Sequence, residues 1–209
     1  MAGILQDTRQ RPRQKRAAET FDLILETAAV LLEEVGFDKL STNLICERAG
    51  LTPPALYRYF PNKYAVLKEL GQQLMAEQNQ AVFEWLQGDV QSLREAESLQ
   101  SVLRGQYDIT CARKGGPWIM RSLHASPLLE NVRLQSHDLM VEKLVLRQLE
   151  TTPDLDRSIA ERKFRITTET GYAMLEMLID NPDLSVDDIL RDAARMMAML
   201  LADLPIGDA

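Results

Sequence analysis

Cysteine and histidine are scarce in this 209-residue sequence, which contains two of each. Cys46 and Cys111 both lie within apolar helical patterns, so they predict no disulfide framework, and the two histidines form no metal-ligand cluster with them. The chain is long enough to bury a full core unaided. We therefore expect a protein of the reducing cytoplasm that folds without a disulfide, a metal ion or a cofactor.

Long apolar runs are also lacking. No segment approaches the roughly 20 apolar residues of a membrane span, and the first residues contain no apolar stretch that would serve as a signal peptide, so we expect no membrane partner. Recognisable catalytic patterns are missing too, and the sequence does not predict an enzyme. Gly115-Gly116-Pro117 follows a helical pattern and lacks the lysine of a phosphate-binding loop, which indicates a turn.

The net charge of −7 is unevenly distributed. Residues 1–70 hold ten Lys and Arg against nine Asp and Glu, whereas residues 71–209 hold fourteen against twenty-two. Residues 1–15 show no periodicity and are predicted to form a disordered arm. The arm is basic, because five basic residues lie between positions 9 and 16 and Asp7 is the only acidic residue among the first 16. These side chains either solubilise the chain or contact phosphates or a minor groove, and the pattern leaves both open.

Alternating strand patterns and internal repeats are absent, while apolar residues recur with a helical period along the chain, so the predicted fold is all-α. Helix start and stop signals set the bounds. The predicted helices are 16–35, 41–49, 53–60, 63–86, 92–114, a short helix ending near 125, 127–150, 156–180 and 185–204.

The stretch from residue 50 to 67 is the most informative. Ser41 or Thr42 can cap the preceding helix, and Gly50 suits the left-handed position that ends it. Thr52 can cap the next helix, and Pro53 fits its first turn, where a missing N–H group costs little. Two short helices joined by such a turn predict a helix-turn-helix.

Residues 16–67 resemble the DNA-binding domain of the tetracycline-repressor (TetR) family of transcriptional regulators. The motif residues, at matching spacings, are Gly36-Phe37, Ser41-Thr42, Ala49-Gly50, Leu56-Tyr57, Tyr59-Phe60 and Lys63. The resemblance implies a three-helix helix-turn-helix domain at 16–70, joined to a larger helical domain at 71–209 for effector binding and dimerisation.

The resemblance also implies which side chains meet double-stranded DNA. Phosphate ligands are expected at Ser41 or Thr42, Tyr57 and Lys63, and base contacts at Asn43, Pro54, Ala55, Arg58 and Tyr59. The chemistry agrees, because hydroxyl and ammonium groups hold a phosphate without reading sequence, whereas Arg58 can fork onto guanine and Ala55 can pack against a thymine methyl.

In the second domain the resemblance implies a pocket for a small-molecule effector. The candidate residues are Tyr107, Cys111, Trp118, Met120 and His124. Large apolar groups with a few polar tips suit an aromatic or lipophilic ligand, but the same pattern fits a plain core, and His124 fits a structural role. His137, between Ser136 and Asp138, is predicted to be solvated.

The last two helices predict a homodimer, because the final helix is apolar around most of its circumference. One stripe of that helix is expected to pack inside the subunit and another against a symmetric partner. The predicted interface residues are Phe164, Thr168, Gly171, Tyr172, Leu175, Ile189, Met196 and Met199.

These observations predict a homodimeric transcriptional repressor that binds a palindromic operator and is released by a small molecule. Two alternatives remain: a DNA-bound scaffold or partner-binding protein of the same fold without an effector, or an activator. An open, lined cavity in the second domain favours the effector, whereas a filled interior favours the scaffold.

Overall fold

The computed structural model describes residues 14–88 and 94–205, which form nine α-helices without any strand. The all-α prediction is confirmed for this part of the chain. The helices are α1 (Lys15–Lys39), α2 (Thr42–Ala49), α3 (Pro53–Tyr57), α4 (Lys63–Trp85), α5 (Ala96–Ala112), α6 (Gly116–Ala125), α7 (Pro127–Thr151), α8 (Arg157–Asp180) and α9 (Val186–Leu201). The predicted arm, apart from its last two residues, lies outside the described ranges.

Several helix ends differ from the prediction, among them the end of α9, which lies at Leu201 and not at residue 204. α1 does not stop at residue 35 but resumes after Gly36, whose φ of +75° and ψ of 175° interrupt it, and runs on to Lys39. α3 ends at Tyr57 and not near residue 60, because the N–H groups of Tyr59 and Phe60 both turn back to the Leu56 carbonyl. Within the described ranges no helix is long and apolar enough to cross a membrane.

The described residues divide into two compact units. Unit 1 comprises the chain up to Met75 together with Cys111–Arg133, and unit 2 comprises Ala76–Thr110 and the chain from Leu134 onward. The first division lies close to the predicted boundary after residue 70. The return of residues 111–133 to unit 1 was not predicted, because periodicity identifies helices but not their partners.

Unit 1 has a core in which α1 packs against α2 and α6. The rings of Phe21 and Phe60 are centred 4.8 Å apart and join the first helix to the end of the helix-turn-helix. Gly115 precedes α6 with a φ of +66°, and a Cβ atom there would lie 2.5 Å from the Ala29 carbonyl oxygen. Only glycine permits this conformation and this approach of α6 to the α1 backbone.

In unit 2, α8 packs against α9. The stripe of α9 formed by Leu190, Ala193, Ala194, Met197 and Leu201 is buried, Leu200 is half-buried, and Leu204, which follows the helix, is also buried. One stripe of the last helix therefore lies inside the subunit.

His137 is a correction to the sequence analysis. Its side chain is 0% exposed, its ring stacks on Tyr172 with centroids 4.1 Å apart, and its Nδ1 lies 3.0 Å from Glu169 Oε1. His137 belongs to the inward face of α7 with Val141 and Val145, so its helical position decides its burial and its polar neighbours in sequence do not.

Candidate nucleic-acid interface and ligand cavity

The helix-turn-helix in unit 1 is built by caps at both ends of α2. Ser41 is the N-cap, and its hydroxyl accepts a hydrogen bond from the Leu44 N–H at 3.2 Å. Gly50 ends α2 in the left-handed region, with φ 65° and ψ 29°. The sequence left Ser41 and Thr42 as alternative caps, and the structure selects Ser41 while Thr42 opens the helix.

The structure brings two predicted phosphate ligands together. Thr42 Oγ1 and Tyr57 Oη lie 3.2 Å apart, joining the start of α2 to the end of α3. Tyr57 is 45% exposed although it is a large aromatic residue. Both hydroxyls thus lie on the surface of unit 1, where a phosphate can reach them.

The predicted base-contacting side chains lie on the same two helices and just after them. Asn43, Pro54 and Arg58 are exposed, and Ala55 and Tyr59 are half-buried. The Tyr59 ring packs edge-on against Phe21, with centroids 6.3 Å apart. The Arg58 guanidinium carbon lies 5.9 Å from the centre of the Tyr59 ring. The Tyr59 ring therefore stabilises Arg58 by a cation–π contact, and its own edge can also contact a base.

Lys63 is more tightly held than the sequence predicted. Its Nζ donates a hydrogen bond to the Phe37 carbonyl at 3.0 Å and lies 4.7 Å from the centre of the Phe37 ring. Lys63 therefore satisfies a carbonyl at the C-terminal end of α1, a role that the motif did not show. An ammonium group has three donors, so this hydrogen bond does not exhaust its capacity for a phosphate.

The sequence analysis missed an ion pair between α1 and α2. The Arg48 guanidinium donates to both carboxylate oxygens of Glu34, at 3.0 and 2.9 Å. This hydrogen bonding lowers the pKa of Glu34. Two exposed, oppositely charged residues on consecutive helices were the only signal in the sequence.

The family model for bacterial regulatory proteins of the tetR family matches residues 24–70. The class A tetracycline repressor protein of transposon 1721 from Escherichia coli is 38% identical over 81 residues, which cover 35% of this chain and 38% of that protein. The class C tetracycline repressor protein from Escherichia coli is 39% identical over 54 residues, 26% and 25% of the two chains. In sequence, residues 24–70 are thus similar to the tetR family of bacterial regulatory proteins.

Solved structures extend the likeness to almost the whole chain. A TetR-family transcriptional regulator from Syntrophomonas wolfei has a TM-score of 0.71 at 13% identity, covering 91% of this chain and 98% of that one. The fatty acid degradation regulator FadR from Bacillus halodurans has a TM-score of 0.64 at 16% identity, covering 86% and 94%. At these identities the likeness shows the fold alone.

The sequence likeness to the tetracycline repressors spans only 38% and 25% of their lengths. The match to the family model falls on the helix-turn-helix.

An apolar cavity of about 80 Å³ lies inside unit 2. Its apolar lining includes Val82, Trp85, Leu86, Leu99, Val102, Leu103, Met140, Leu144, Phe164, Met197 and Leu201. Its polar lining is Arg94, Gln106, Arg147, Gln148, Thr167, Thr168 and Tyr172. The sequence analysis assigned Phe164, Thr168, Gly171 and Tyr172 to the dimer interface and did not single out the other lining residues.

None of the five residues predicted to line the effector pocket lies on this cavity. Four of them belong to unit 1, where Cys111 and His124 are exposed, Met120 is buried in the core, and Trp118 is half-buried with its ring beside Gly36. Tyr107 belongs to unit 2 but is not among the residues that line the cavity. The assignment followed the family resemblance, whereas the structure packs α6 against α1 in unit 1.

The residues predicted for the dimer interface differ in burial between α8 and α9. All five on α8 are buried within the subunit: Phe164, Thr168, Gly171, Tyr172 and Leu175. Because α8 uses this face for its own core and for the cavity, that part of the interface prediction is corrected. On α9, Ile189 is half-buried, whereas Met196 and Met199 are 59% and 77% exposed.

Proposed function

We propose that this chain is a TetR-family repressor that binds a palindromic operator as a homodimer and is released when a small molecule occupies the cavity of unit 2. The observation that carries the DNA-binding part is the exposed set on α2 and α3, in which Thr42 and Tyr57 pair while Arg58 projects beside Tyr59. Hydroxyl groups fix a protein on the phosphate backbone, and an arginine reads guanine in the major groove.

The proposed dimer uses the outward faces of the last two helices. Met196 and Met199 on α9 and Ile166, 47% exposed, on α8 are large apolar side chains that a soluble monomer rarely leaves open together. Exposed Ala173 and half-buried Met177 continue the α8 face at helical spacing. A two-fold axis through these faces gives a four-helix bundle and uses one patch on both subunits.

The effector part rests on the cavity. At about 80 Å³ it is smaller than the roughly 300–1,000 Å³ of ordinary ligand pockets, so an effector must enlarge it on binding. A ligand that binds the enlarged state better than the DNA-binding state shifts the population away from DNA. A scaffold without an effector would gain nothing from this space.

The test is selection of DNA from a random pool with the full-length protein. Selected sequences should contain inverted repeats whose half-site centres are about 34–36 Å apart, or a multiple of that distance, because a two-fold dimer fixes the separation of its reading helices. A compound library should then contain molecules that release the selected DNA. Enrichment of single, unrepeated half-sites would contradict the proposal.

A further inference from the structure

Two residues that line the unit 2 cavity carry buried hydroxyl groups without a hydrogen-bond partner. Thr168 Oγ1 and Tyr172 Oη both lack one among the described residues, and their side chains belong to residues that are 7% and 4% exposed. The Ser136 hydroxyl lies close to the Tyr172 phenol and offsets part of the rise in the pKa of Tyr172 that burial causes. The geometry between the two groups is not that of a hydrogen bond. Both residues line the cavity.

Thr168 and Tyr172 share one face of α8. Thr168 and Tyr172 are four residues apart on α8, so their side chains lie one above the other on the same face of the helix. Gly171 lies between them and adds no side chain to the lining. Buried polar groups are normally satisfied, and an unsatisfied pair on residues that line an apolar cavity calls for a ligand atom that accepts hydrogen bonds once the cavity is enlarged.

The charges around the cavity restrict that ligand further. The lining contains no aspartate or glutamate, so nothing there would compensate a cation. Arg94 and Arg147 are the charged residues in the lining, and their guanidinium groups already donate to protein oxygens: Arg94 to the Leu204 carbonyl at 2.6 Å and to Gln148 Oε1 at 2.6 Å, and Arg147 to the Leu86 carbonyl at 3.3 Å. Thr168 and Tyr172, in contrast, are lining donors without a hydrogen-bond partner among the described residues.

We propose that the cavity selects an uncharged, largely apolar molecule that carries one oxygen acceptor, such as a ketone or an ester, and that Thr168 and Tyr172 donate hydrogen bonds to this oxygen. The inference rests on the proposed effector site and names the chemical class that it takes. The phenol of Tyr172 remains a donor throughout the neutral pH range, because burial raises its pKa to about 12.

The ligand must also enlarge the cavity. A cavity of about 150 Å³ is known to hold benzene, and this one has about 80 Å³. Met140 and Met197 line it, and methionine adapts to irregular shapes because it has three rotatable bonds and no branch. Small aromatic probes are therefore suitable for a first test.

The test compares three probes of similar shape: acetophenone, with a neutral oxygen acceptor; cumene, with none; and benzoate, with a negative charge. Binding to the full-length protein is measured by calorimetry or by NMR titration. Acetophenone should bind about tenfold more tightly than cumene and than benzoate. Thr168→Val and Tyr172→Phe should each weaken acetophenone binding about fivefold and leave cumene binding unchanged.

Thr167→Val is the matched control, since Thr167 also lines the cavity but its hydroxyl already donates to the Lys163 carbonyl at 2.9 Å. This variant should keep the preference for acetophenone over cumene. A second readout needs no ligand: Thr168→Val should not lower the melting temperature, because it removes a hydroxyl that has no partner, whereas Thr167→Val should lower it slightly.

Equal binding of acetophenone and cumene, no binding of any probe, or tightest binding of benzoate would each overturn the inference. The last result would assign the site to the arginines. An operator-binding assay on the same samples separates this result from the proposed function. If the protein binds operator but none of the probes, the proposed DNA-binding function holds and the ligand class is wrong. If the protein binds acetophenone but does not release operator, the ligand class holds and release through this site is refuted.

Discussion

The hydroxyls of Thr42 and Tyr57 lie 3.2 Å apart and connect the first turn of α2 to the last residue of α3. This hydrogen bond holds the exposed phenol in one orientation before any DNA arrives. Such prior ordering matters because immobilising a side chain on binding costs roughly 0.5–1.5 kcal/mol.

Tyr57→Phe keeps the ring and removes the hydroxyl. We expect operator affinity to fall by about 0.5–1.5 kcal/mol, the ordinary contribution of one hydrogen bond, with unchanged base preference. Fluorescence anisotropy with operator DNA and with base-substituted variants measures both quantities. Tyr107→Phe in unit 2 is the control and should bind DNA as the unmodified protein does; a loss of equal size in both variants would refute the role of Tyr57.

Arg58 and Lys63 are expected to act differently on DNA. Arg58→Ala should cost about 1–3 kcal/mol on the operator and relax the preference at one base pair, because a guanidinium that reads guanine is lost. An unchanged base preference would show that Arg58 does not read the DNA sequence. Affinity measured across a panel of single-base variants decides this.

Lys63→Ala should weaken binding to all sequences and reduce the slope of log affinity against log salt by about one unit, because one phosphate contact is lost. The hydrogen bond to the Phe37 carbonyl adds a second effect, a loss of about 1 kcal/mol in the free energy of unfolding. A salt titration and a urea titration separate the two. A stability loss with an unchanged salt slope would leave Lys63 with the structural role alone.

Gly115 and Gly105 offer a matched pair of glycine substitutions. Gly115→Ala should lower the free energy of unfolding by more than about 2 kcal/mol, because the new Cβ would lie 2.5 Å from the Ala29 carbonyl oxygen at a φ of +66°. Gly105→Ala, in the interior of α5, should raise it by about 0.5–1 kcal/mol, since nothing lies within 4 Å of the new Cβ. Urea unfolding of both variants checks the opposite signs.

Met196→Asp tests the proposed dimer. A charge at this exposed position on α9 should yield monomers that lose operator affinity and retain helical content, because the apolar patch no longer closes on its partner. Sedimentation and circular dichroism measure the two. Leu139→Asp, at a residue 45% exposed on α7, is the control and should remain dimeric. An unmodified protein that sediments as a monomer and still binds operator tightly would rule the dimer out.

Tyr172 predicts how stability changes in alkaline solution. Its pKa is raised from 10.0 to about 12 because burial disfavours the phenolate. Between these two pH values the unfolded chain has lost the phenolic proton and the folded chain has kept it, so stability present below pH 10 is lost as the pH rises to about 12. The full effect is on the order of 2–3 kcal/mol. Unfolding at pH 8 and pH 11.5 should show a smaller loss for Tyr172→Phe than for the unmodified protein.

The helix-turn-helix was predictable from sequence because its signals are local. Gly50 needs a left-handed backbone, Ser41 caps the helix that it precedes, and both requirements are met within a few residues. The motif also placed Thr42 and Tyr57 on neighbouring helices, although their direct hydrogen bond depends on how α2 and α3 pack.

The cavity was not predictable in the same way. Thr168 and Tyr172 lie on an apolar face of α8, and a periodic face looks the same whether it meets a partner subunit, the core or a cavity. Met196 and Met199 were correctly separated from the inward stripe of α9, but the choice of inward and outward faces on α8 required the packed structure. His137 was different, because a helical projection of α7 would have revealed its burial.

The division of the chain into its two units has a consequence for the order of synthesis. Three helices, α4, α5 and α7, each give residues to both units, and unit 1 is completed by residues 111–133. A nascent chain that has reached only Met75 lacks the buried side chains of Ile119, Met120 and Leu123. Unit 1 therefore cannot finish folding on the ribosome until α6 has emerged, and by then all of α4 and α5, which also contribute residues to unit 2, has been made.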